Sequence, residues 1–411
     1  MAADDLLPIA VLTLLLGYAA YYFLALKPAA QKPAAPAPKP AAPAPKPAEP
    51  VAREPAAPKP AAPKAKTADH ARLLTTLKGF SEGITGLGLS QCGRHVVAAS
   101  LDRTVRVFPS FDAAPRPNVL RANVPLDHAT CVSISSTAKN VVVATSSARQ
   151  VLAYSVTLAG GDVKPGVAHR RTIPSQGAAH KRPMVACLLA SSGAFVLTVG
   201  GEDDTDLKLW SLDGSLLATH ANKQGEQTGA ALSADARFVM VAAMMSEVKC
   251  LEVVLDKEGV PTGLRTAMCF AAHRRAINAV AFADDCAHAA LCSKDGGWSV
   301  WQLQAERSFS ERHQNEDPKL RRRGESPADA PLERIALSPH GAILCGAAGP
   351  SLFLIDTTSG ATLESIGAAH HPGAGISALA FASDGTRVAS GAADGRIKLW
   401  RAADAGQAGK V

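Results

Sequence analysis

The chain has 411 residues, a formal net charge of +7 and an isoelectric point near 9.0. Apolar residues make up 47% of it, which supports a large core and excludes a wholly disordered protein, and its length is that of two or three domains. Eight cysteines without a C-x-x-C pair give no sign of a disulfide framework, a structural zinc site or a thioredoxin-like redox centre.

The first predicted element is an apolar stretch at residues 6–26 that carries no charge and has about the length a helix needs to cross a bilayer. Three tyrosines lie toward its C-terminal end, where amphipathic rings suit the lipid–water interface. We therefore predict a transmembrane anchor. A cleaved signal peptide is the alternative, but Asp4 and Asp5 stand where such a peptide carries basic residues, and the stretch exceeds the usual apolar region.

Residues 27–68 are a low-complexity segment of Pro, Ala and Lys. Repeated proline disfavours helix and sheet and favours polyproline II, so we expect a linker that extends up to about 130 Å. Lysines follow the predicted transmembrane span, and the charged residues that precede it are all acidic. The positive-inside rule therefore predicts that the bulk of the protein faces the cytosol. Residues 1–68 hold eight basic and four acidic residues, hence +4 of the total charge.

From about residue 72 to residue 401 the chain repeats one pattern seven times. Each unit has three short alternating segments separated by turn residues, which is typical of consecutive β-hairpins. The first turn and the bulky closing residue are 17 to 20 residues apart in every unit, whereas closing residues of successive units are 41 to 56 apart. This pattern predicts an all-β, seven-bladed β-propeller over residues 71–402. We expect residues 72–77 to supply the outer strand of the last blade and close the ring.

The units resemble those of the WD-repeat family of β-propellers. In that family a His before the first strand, a Ser or Thr in the second strand, an Asp in the next turn and a closing Trp form a buried hydrogen-bonded set. The third unit has Glu202 in place of the hydroxyl, and the second, fourth and sixth units lack the Asp and the Trp, so we expect those three blades to be weaker. The resemblance assigns the buried set to His273, Ser293, Asp295, Trp301, His180, Asp204, Trp210, Ser100, Asp102, Asp394 and Trp400, with His370 or His371 beside the last two.

A closer similarity joins the chain to one branch of the WD-repeat family. It rests on the segment RANVPLDHAT at residues 121–130 and on the order of apolar helix, basic linker and propeller. This resemblance implies a single-pass location in the endoplasmic reticulum membrane, a role in the unfolded-protein response, and association with an endoplasmic reticulum stress kinase and the translation machinery. Asp127 and His128 of this segment are candidate partner-binding residues. Shorter matches lie at 103–107, 211–214 and 293–296.

A basic cluster lies between the fifth and sixth units, in an insert at about residues 304–331 that we predict to be irregular. Contact with phosphate groups of RNA or lipid is one interpretation, and a solvated loop is the other. The candidate residues are Lys319, Arg321, Arg322 and Arg323.

The sequence contains none of the common motifs of catalysis or of nucleotide and metal binding. It has no nucleotide-binding, metalloprotease, hydrolase-elbow or calcium-loop motif. His370 and His371 could suggest a metal site, but adjacent residues of an extended chain point to opposite sides. The acidic run 202–206 could hold a hard cation, or be an exposed charged hairpin.

We therefore predict no catalytic residue, no cofactor and no metal, and a non-enzymatic scaffold for protein partners. The alternatives are an RNA- or ribosome-associated binding protein that uses residues 319–323, and a secreted or lumenal propeller whose signal peptide is cleaved.

Overall fold

The structure is a computed structural model that describes residues 70–109, 118–158, 164–303 and 318–402. The described residues all belong to one compact unit of the chain, Thr67–Val411. Within these ranges no helix has the length and apolarity that a bilayer crossing requires. The anchor predicted at 6–26 and the linker predicted at 27–68 lie outside the described residues.

The described residues form seven antiparallel sheets of four strands each, arranged as the blades of a β-propeller. Within blades 1 to 6 the chain runs from the innermost to the outermost strand, and in blade 7 the outermost strand is β1. Blades 1 to 4 contain, in this order, β2 (Ile84–Leu89), β3 (Val96–Ser100), β4 (Thr104–Phe108), β5 (Leu120–Asn123); β6 (Ala129–Ile134), β7 (Asn140–Thr145), β8 (Val151–Thr157), β9 (Gly166–Ile173); β10 (Met184–Leu189), β11 (Phe195–Gly200), β12 (Asp206–Ser211), β13 (Leu216–Ala221); and β14 (Gln227–Leu232), β15 (Phe238–Ala243), β16 (Glu247–Leu255), β17 (Pro261–Ala271). Blades 5 to 7 contain β18 (Ile277–Phe282), β19 (His288–Ser293), β20 (Gly297–Gln302), β21 (Lys319–Glu325); β22 (Arg334–Leu337), β23 (Ile343–Ala348), β24 (Ser351–Asp356), β25 (Thr362–Ile366); and β26 (Ile376–Phe381), β27 (Arg387–Ala392), β28 (Ile397–Arg401), β1 (Leu73–Leu77).

The position of a strand in its blade is visible in its sequence. Second strands such as β3, with the sequence VVAAS, are buried at every position or at all but the first, because neighbouring blades cover both faces. Their small and β-branched residues suit that narrow space. The outer strand β5 alternates buried and exposed residues because only one of its faces is covered. Apolar clusters accordingly lie between adjacent blades, as where Val107 of blade 1 packs with Val132 of blade 2.

The first described strand closes the ring. β1 pairs antiparallel with β28, with Leu77 opposite Ile397, and thereby becomes the outer strand of blade 7. Leu77 is buried in a cluster with Phe108 of blade 1, and Arg72 donates a 2.8 Å bond to Glu364 of blade 6. The two ends of the repeat region are therefore joined to each other and to both neighbouring blades.

The basic segment has more structure than the sequence indicates. Residues 319–325, within the insert predicted to be irregular, form the outer strand β21 and pair with β20. The prediction was wrong because β21 has almost no side-chain alternation: six of its seven residues are exposed, and main-chain pairing holds it. Its one special position is Gly324, which lies against the indole of Trp298, whose Nε1 donates to the Glu325 carbonyl at 3.0 Å.

Candidate partner-binding surface

In the described residues, three blades contain a buried set of polar side chains that we call the histidine hub, and the hub of blade 3 joins a His, a Thr, an Asp and a Trp. His180 Nε2 lies 2.8 Å from Thr198 Oγ1, and its Nδ1 lies 3.2 Å from Asp204 Oδ2. Trp210 Nε1 donates to the same threonine at 3.0 Å. Thr198, and not the residue at position 202, therefore supplies the hydroxyl of this hub.

Blade 7 repeats this arrangement. His370 Nε2 lies 2.7 Å from Ser390 Oγ, Trp400 Nε1 donates to that oxygen at 2.8 Å, and Asp394 Oδ2 lies 3.1 Å from His370 Nδ1. Of the two adjacent histidines, His370 is the buried hub residue, while His371 is exposed.

Blade 5 obtains its hydroxyl from a different strand. His273 Nε2 lies 2.8 Å from Ser299 Oγ, and Trp301 Nε1 donates to Ser299 at 3.0 Å. The predicted hub residue Ser293 instead donates to backbone carbonyls of the loop that precedes β18. Ser299 lies opposite Leu291 in the sheet, so a serine on the third strand takes the place of one on the second.

The aspartates of the hubs also hold the backbone. Asp295 Oδ2 accepts from the N–H of Arg274 at 2.9 Å, and its Oδ1 accepts from Gly297 at 2.8 Å. Burial alone would raise the pKa of Asp295, but these donors outweigh it and lower the pKa to about 2. Asp204 receives equivalent bonds from Lys181 and Asp206.

Two of the hub histidines, His180 and His273, lie in surroundings that favour the neutral ring. Desolvation lowers the pKa of His180 and of His273, although the nearby Asp204 and Asp295 act in the opposite direction. His273 Nδ1 is 3.4 Å from Asp295 Oδ1 and has no hydrogen-bond partner in the described part of the chain. Their side chains are almost fully buried, so we assign the hubs a structural role.

Blade 1 replaces the polar hub with aromatic residues. Phe80 and Phe108 pack with ring centroids 6.2 Å apart, and the guanidinium of Arg106 lies 4.9 Å from the Phe80 centroid. Ser100 and Asp102 remain, and they cap the turn: Ser100 donates to the Glu82 carbonyl at 3.1 Å, and Asp102 accepts from the Ser81 N–H at 3.1 Å.

In blades 1, 3 and 5 an aspartate in the turn between the second and third strands binds the loop before the first strand. In blade 2 the acid lies in that loop and binds the turn. Its acid is Asp127, which precedes β6 and accepts N–H bonds from His128, Ser147 and Ala148, each with a shortest distance of 2.8 Å. Asp127 is only 6% exposed, so it positions the loop and is not itself available to a partner. His128, by contrast, has a half-exposed side chain.

Leu126 is the most unusual exposed residue of the described ranges. It is 95% accessible and has a φ of 54°, in the left-handed region that costs a residue with a Cβ roughly 1–2 kcal/mol. Its loop is held on both sides, because Val124 N donates to the Arg103 carbonyl at 2.8 Å and the Ser146 N–H donates to the carbonyl of His128 at 3.1 Å. A rigid loop therefore presents a strained leucine to solvent.

Leu126 lies on one face of the ring, formed by the loops before first strands and the turns between second and third strands. Antiparallel strands bring these connections to the same end of each blade. The adjoining turn of blade 1 adds the exposed Leu101 and Arg103. We call this set the Leu126 patch: Leu101, Arg103, Pro125, Leu126 and His128. Leu126 was not among the partner-binding residues predicted from the sequence, although an apolar residue between Pro125 and Asp127 in a turn was a signal that could have indicated it.

The basic residues of β21 are exposed but partly engaged. Arg321 donates to His288 Nε2 at 2.8 Å, Arg322 donates to the Thr358 carbonyl, and Arg323 lies 3.7 Å from Asp295 Oδ2. Lys319 completes an outer edge with four cations. The acidic run in blade 3 is also accounted for, because Arg182 pairs with Glu202 and Asp203 at 3.2 Å each. The described residues contain no group of three side chains suited to hold a metal ion.

Seven four-stranded blades, three of them with a histidine hub, define a WD-repeat β-propeller. The family model for the WD domain, G-beta repeat, matches residues 71–108, 264–302 and 363–401. The human transducin beta-like protein 2 is 31% identical over 324 residues, which are 78% of this chain and 70% of that protein. The mouse transducin beta-like protein 2 is 30% identical over the same shares. The chain therefore belongs to the transducin beta-like protein 2 family.

Proposed function

We propose that this protein is a membrane-anchored, non-catalytic scaffold whose propeller faces the cytosol and binds protein partners through the Leu126 patch. The observation that carries the proposal is Leu126 itself. A large apolar side chain that is fully exposed, conformationally strained and fixed by the buried Asp127 destabilises the free protein, and burial in a partner's apolar pocket would offset that cost. We further propose that the family relationship extends to function, with the protein in the endoplasmic reticulum membrane and its partners an endoplasmic reticulum stress kinase and the translation machinery.

Leu126 variants test the binding surface. Leu126→Ala should abolish capture of the proteins that copurify with the full-length protein, whereas Leu363→Ala, which truncates a half-exposed leucine on β25, should leave capture unchanged. Leu126→Gly relieves the positive φ, so it should reduce binding while the melting temperature stays equal or rises. If both Leu126 variants capture the same partners as the parent protein, the patch is not the binding surface.

A protease-protection assay tests the topology. In sealed microsomes that contain the full-length chain, added protease should digest the propeller, because the charges that flank residues 6–26 favour a cytosolic C-terminal side. Full protection of the propeller, released only by detergent, would establish the lumenal alternative instead. N-terminal sequencing of the membrane-bound protein distinguishes a retained anchor from a cleaved signal.

A second candidate function is RNA or ribosome binding through the outer edge of β21. The exposed run of Lys319 and Arg321–Arg323 favours it. Replacement of these four residues by Ala should then weaken RNA binding and reduce the slope of log affinity against log salt by about 0.7 for each lost phosphate contact. An unchanged salt slope would exclude β21 as the RNA contact.

A further inference from the structure

The innermost strands of the seven blades surround a central cavity of 280 Å³. In six blades the register between first and second strands shifts by one residue near the start of the first strand, which leaves one residue bulged out of the ladder. Each bulged residue lines the cavity, and five of the six are polar. They are Thr85, Thr130, Val185, Thr228, Asn278 and Ser377.

Blade 6 has no such shift and contributes Arg334 instead. Among the described residues that line the cavity, Arg334 is the only one with a basic or acidic side chain. Its Nε donates to the Ser377 carbonyl at 2.9 Å and its Nη1 to the Glu333 carbonyl at 2.9 Å, both of them neutral acceptors. Two thiols also line the cavity, but burial raises the pKa of Cys131 to about 11, and the pKa of Cys187 is also raised, so both are uncharged at neutral pH. Arg334, which is itself solvent-exposed, therefore gives the wall of the cavity one positive charge.

The same wall of the cavity contains a second hydrogen-bond donor besides Arg334, the hydroxyl of Thr85. Thr85 Oγ1 is buried and has no hydrogen-bond partner among the described residues. Ser377 connects it to the arginine, because the Ser377 carbonyl accepts from Arg334 while its hydroxyl donates to the carbonyl of Ile84, next to Thr85. The cation and the unpartnered hydroxyl thus belong to one continuous arc of blades 6, 7 and 1.

We propose that the central cavity binds an oxyanion, a carboxylate or a phosphate monoester, with Arg334 as the principal donor and Thr85 as a second. Charge-assisted hydrogen bonds from a guanidinium are about twice as strong as neutral ones, and the surrounding wall supplies no competing carboxylate. The volume suits a single side chain or headgroup, since pockets for drug-sized ligands have roughly 300–1,000 Å³. This site is independent of the Leu126 patch.

The test uses the full-length protein at low salt and three probes of similar size: phenyl phosphate, benzoate and the neutral benzyl alcohol. Saturation-transfer NMR should give a dissociation constant on the order of 1 mM for at least one of the two anions and none for the alcohol. Preference for phenyl phosphate indicates a phosphorylated ligand, and equal or better binding of benzoate indicates a carboxylate; both results support the site.

Variants locate the binding. Arg334→Ala should weaken it at least about 10-fold, Thr85→Val about 3-fold, and Arg334→Lys less than Arg334→Ala because the charge remains. Arg121→Ala, which removes an exposed arginine on the outer strand β5, serves as the control and should leave affinity unchanged. The proposal is overturned if neither anion binds saturably, if benzyl alcohol binds equally well, or if folded Arg334→Ala protein retains the parent affinity.

Discussion

At the scale of single residues, the hubs show that the hydroxyl between the histidine and the tryptophan can come from either the second or the third strand of a blade. Thr198 lies opposite Lys208 and Ser390 opposite Lys398, whereas in blade 5 Leu291 lies opposite Ser299. Side chains that face each other across an antiparallel pair lie on the same side of the sheet, with Cβ atoms about 5 Å apart. A hydroxyl on either strand can therefore lie between the histidine and the tryptophan.

This interpretation predicts that Ser299→Ala destabilises blade 5. The substitution removes the oxygen that both His273 and Trp301 contact, so a buried ring N–H loses its partner, at a cost of about 1–3 kcal/mol. Chemical denaturation measures the change in the free energy of unfolding. The double variant Leu291→Ser, Ser299→Lys reproduces the arrangement of blades 3 and 7 and should recover part of the loss; no recovery would contradict the equivalence of the two strands.

Gly324 is a second residue at which contact geometry determines the outcome. A Cβ added there would lie 2.3 Å from Cζ2 of the fully buried Trp298 ring, so Gly324→Ala should lower the free energy of unfolding by roughly 1–3 kcal/mol. Gly263→Ala is the matched control on the outer strand of blade 4, where the new Cβ has no atom within 4 Å. Equal melting temperatures for the two variants would contradict the proposed contact.

At the scale of the element, strand β1 connects the beginning of the described propeller to its end. It pairs with the outer edge of β28, so the backbone groups of β28 on that side are not left unpaired. Leu77 fills the space between blades 7 and 1. The local sequence LLTTL is short, so the strand depends on this partner for its stability.

Leu77→Ala should therefore destabilise the closed ring by about 2–5 kcal/mol, the usual cost of emptying a buried leucine site. Leu74 of the same strand is half-exposed, and Leu74→Ala should change stability by less than about 1 kcal/mol. Thermal unfolding with size-exclusion chromatography measures both stability and edge-to-edge association. The role of β1 would be refuted by a Leu77 variant as stable as the Leu74 variant.

At the scale of the whole molecule, the buried hubs make stability depend on pH. The pKa of His180 and that of His273 are lowered in the folded protein, whereas an unfolded histidine titrates near 6.5. As the pH falls below about 6.5, the unfolded chain binds protons that the folded chain does not, so the free energy of unfolding decreases. Asp295, with a pKa of about 2, adds a separate contribution that is present above about pH 4 and is lost toward pH 2.

We expect the melting temperature to fall between pH 7.5 and pH 5.0, and to fall less in a His180→Gln variant, which no longer has the titrating ring. Scanning calorimetry at matched ionic strength measures both proteins. A melting temperature that rises on acidification, or an identical decrease in the variant, would disagree with neutral buried histidines.

The sequence by itself determined the architecture, because the alternation of apolar residues and the regular spacing of turns recur seven times and each repeat can bury its apolar faces only against its neighbours. The sequence also predicted positions whose role depends on residues close in the chain, such as Asp295, which binds the backbone of its own turn. Tertiary structure alone decided three features: the hydroxyl of Ser299, the strand β21 and the cavity around Arg334. Each depends on which residue lies across a sheet or across the ring, and neither pairing register nor a contact between distant blades leaves a periodic signal along the chain.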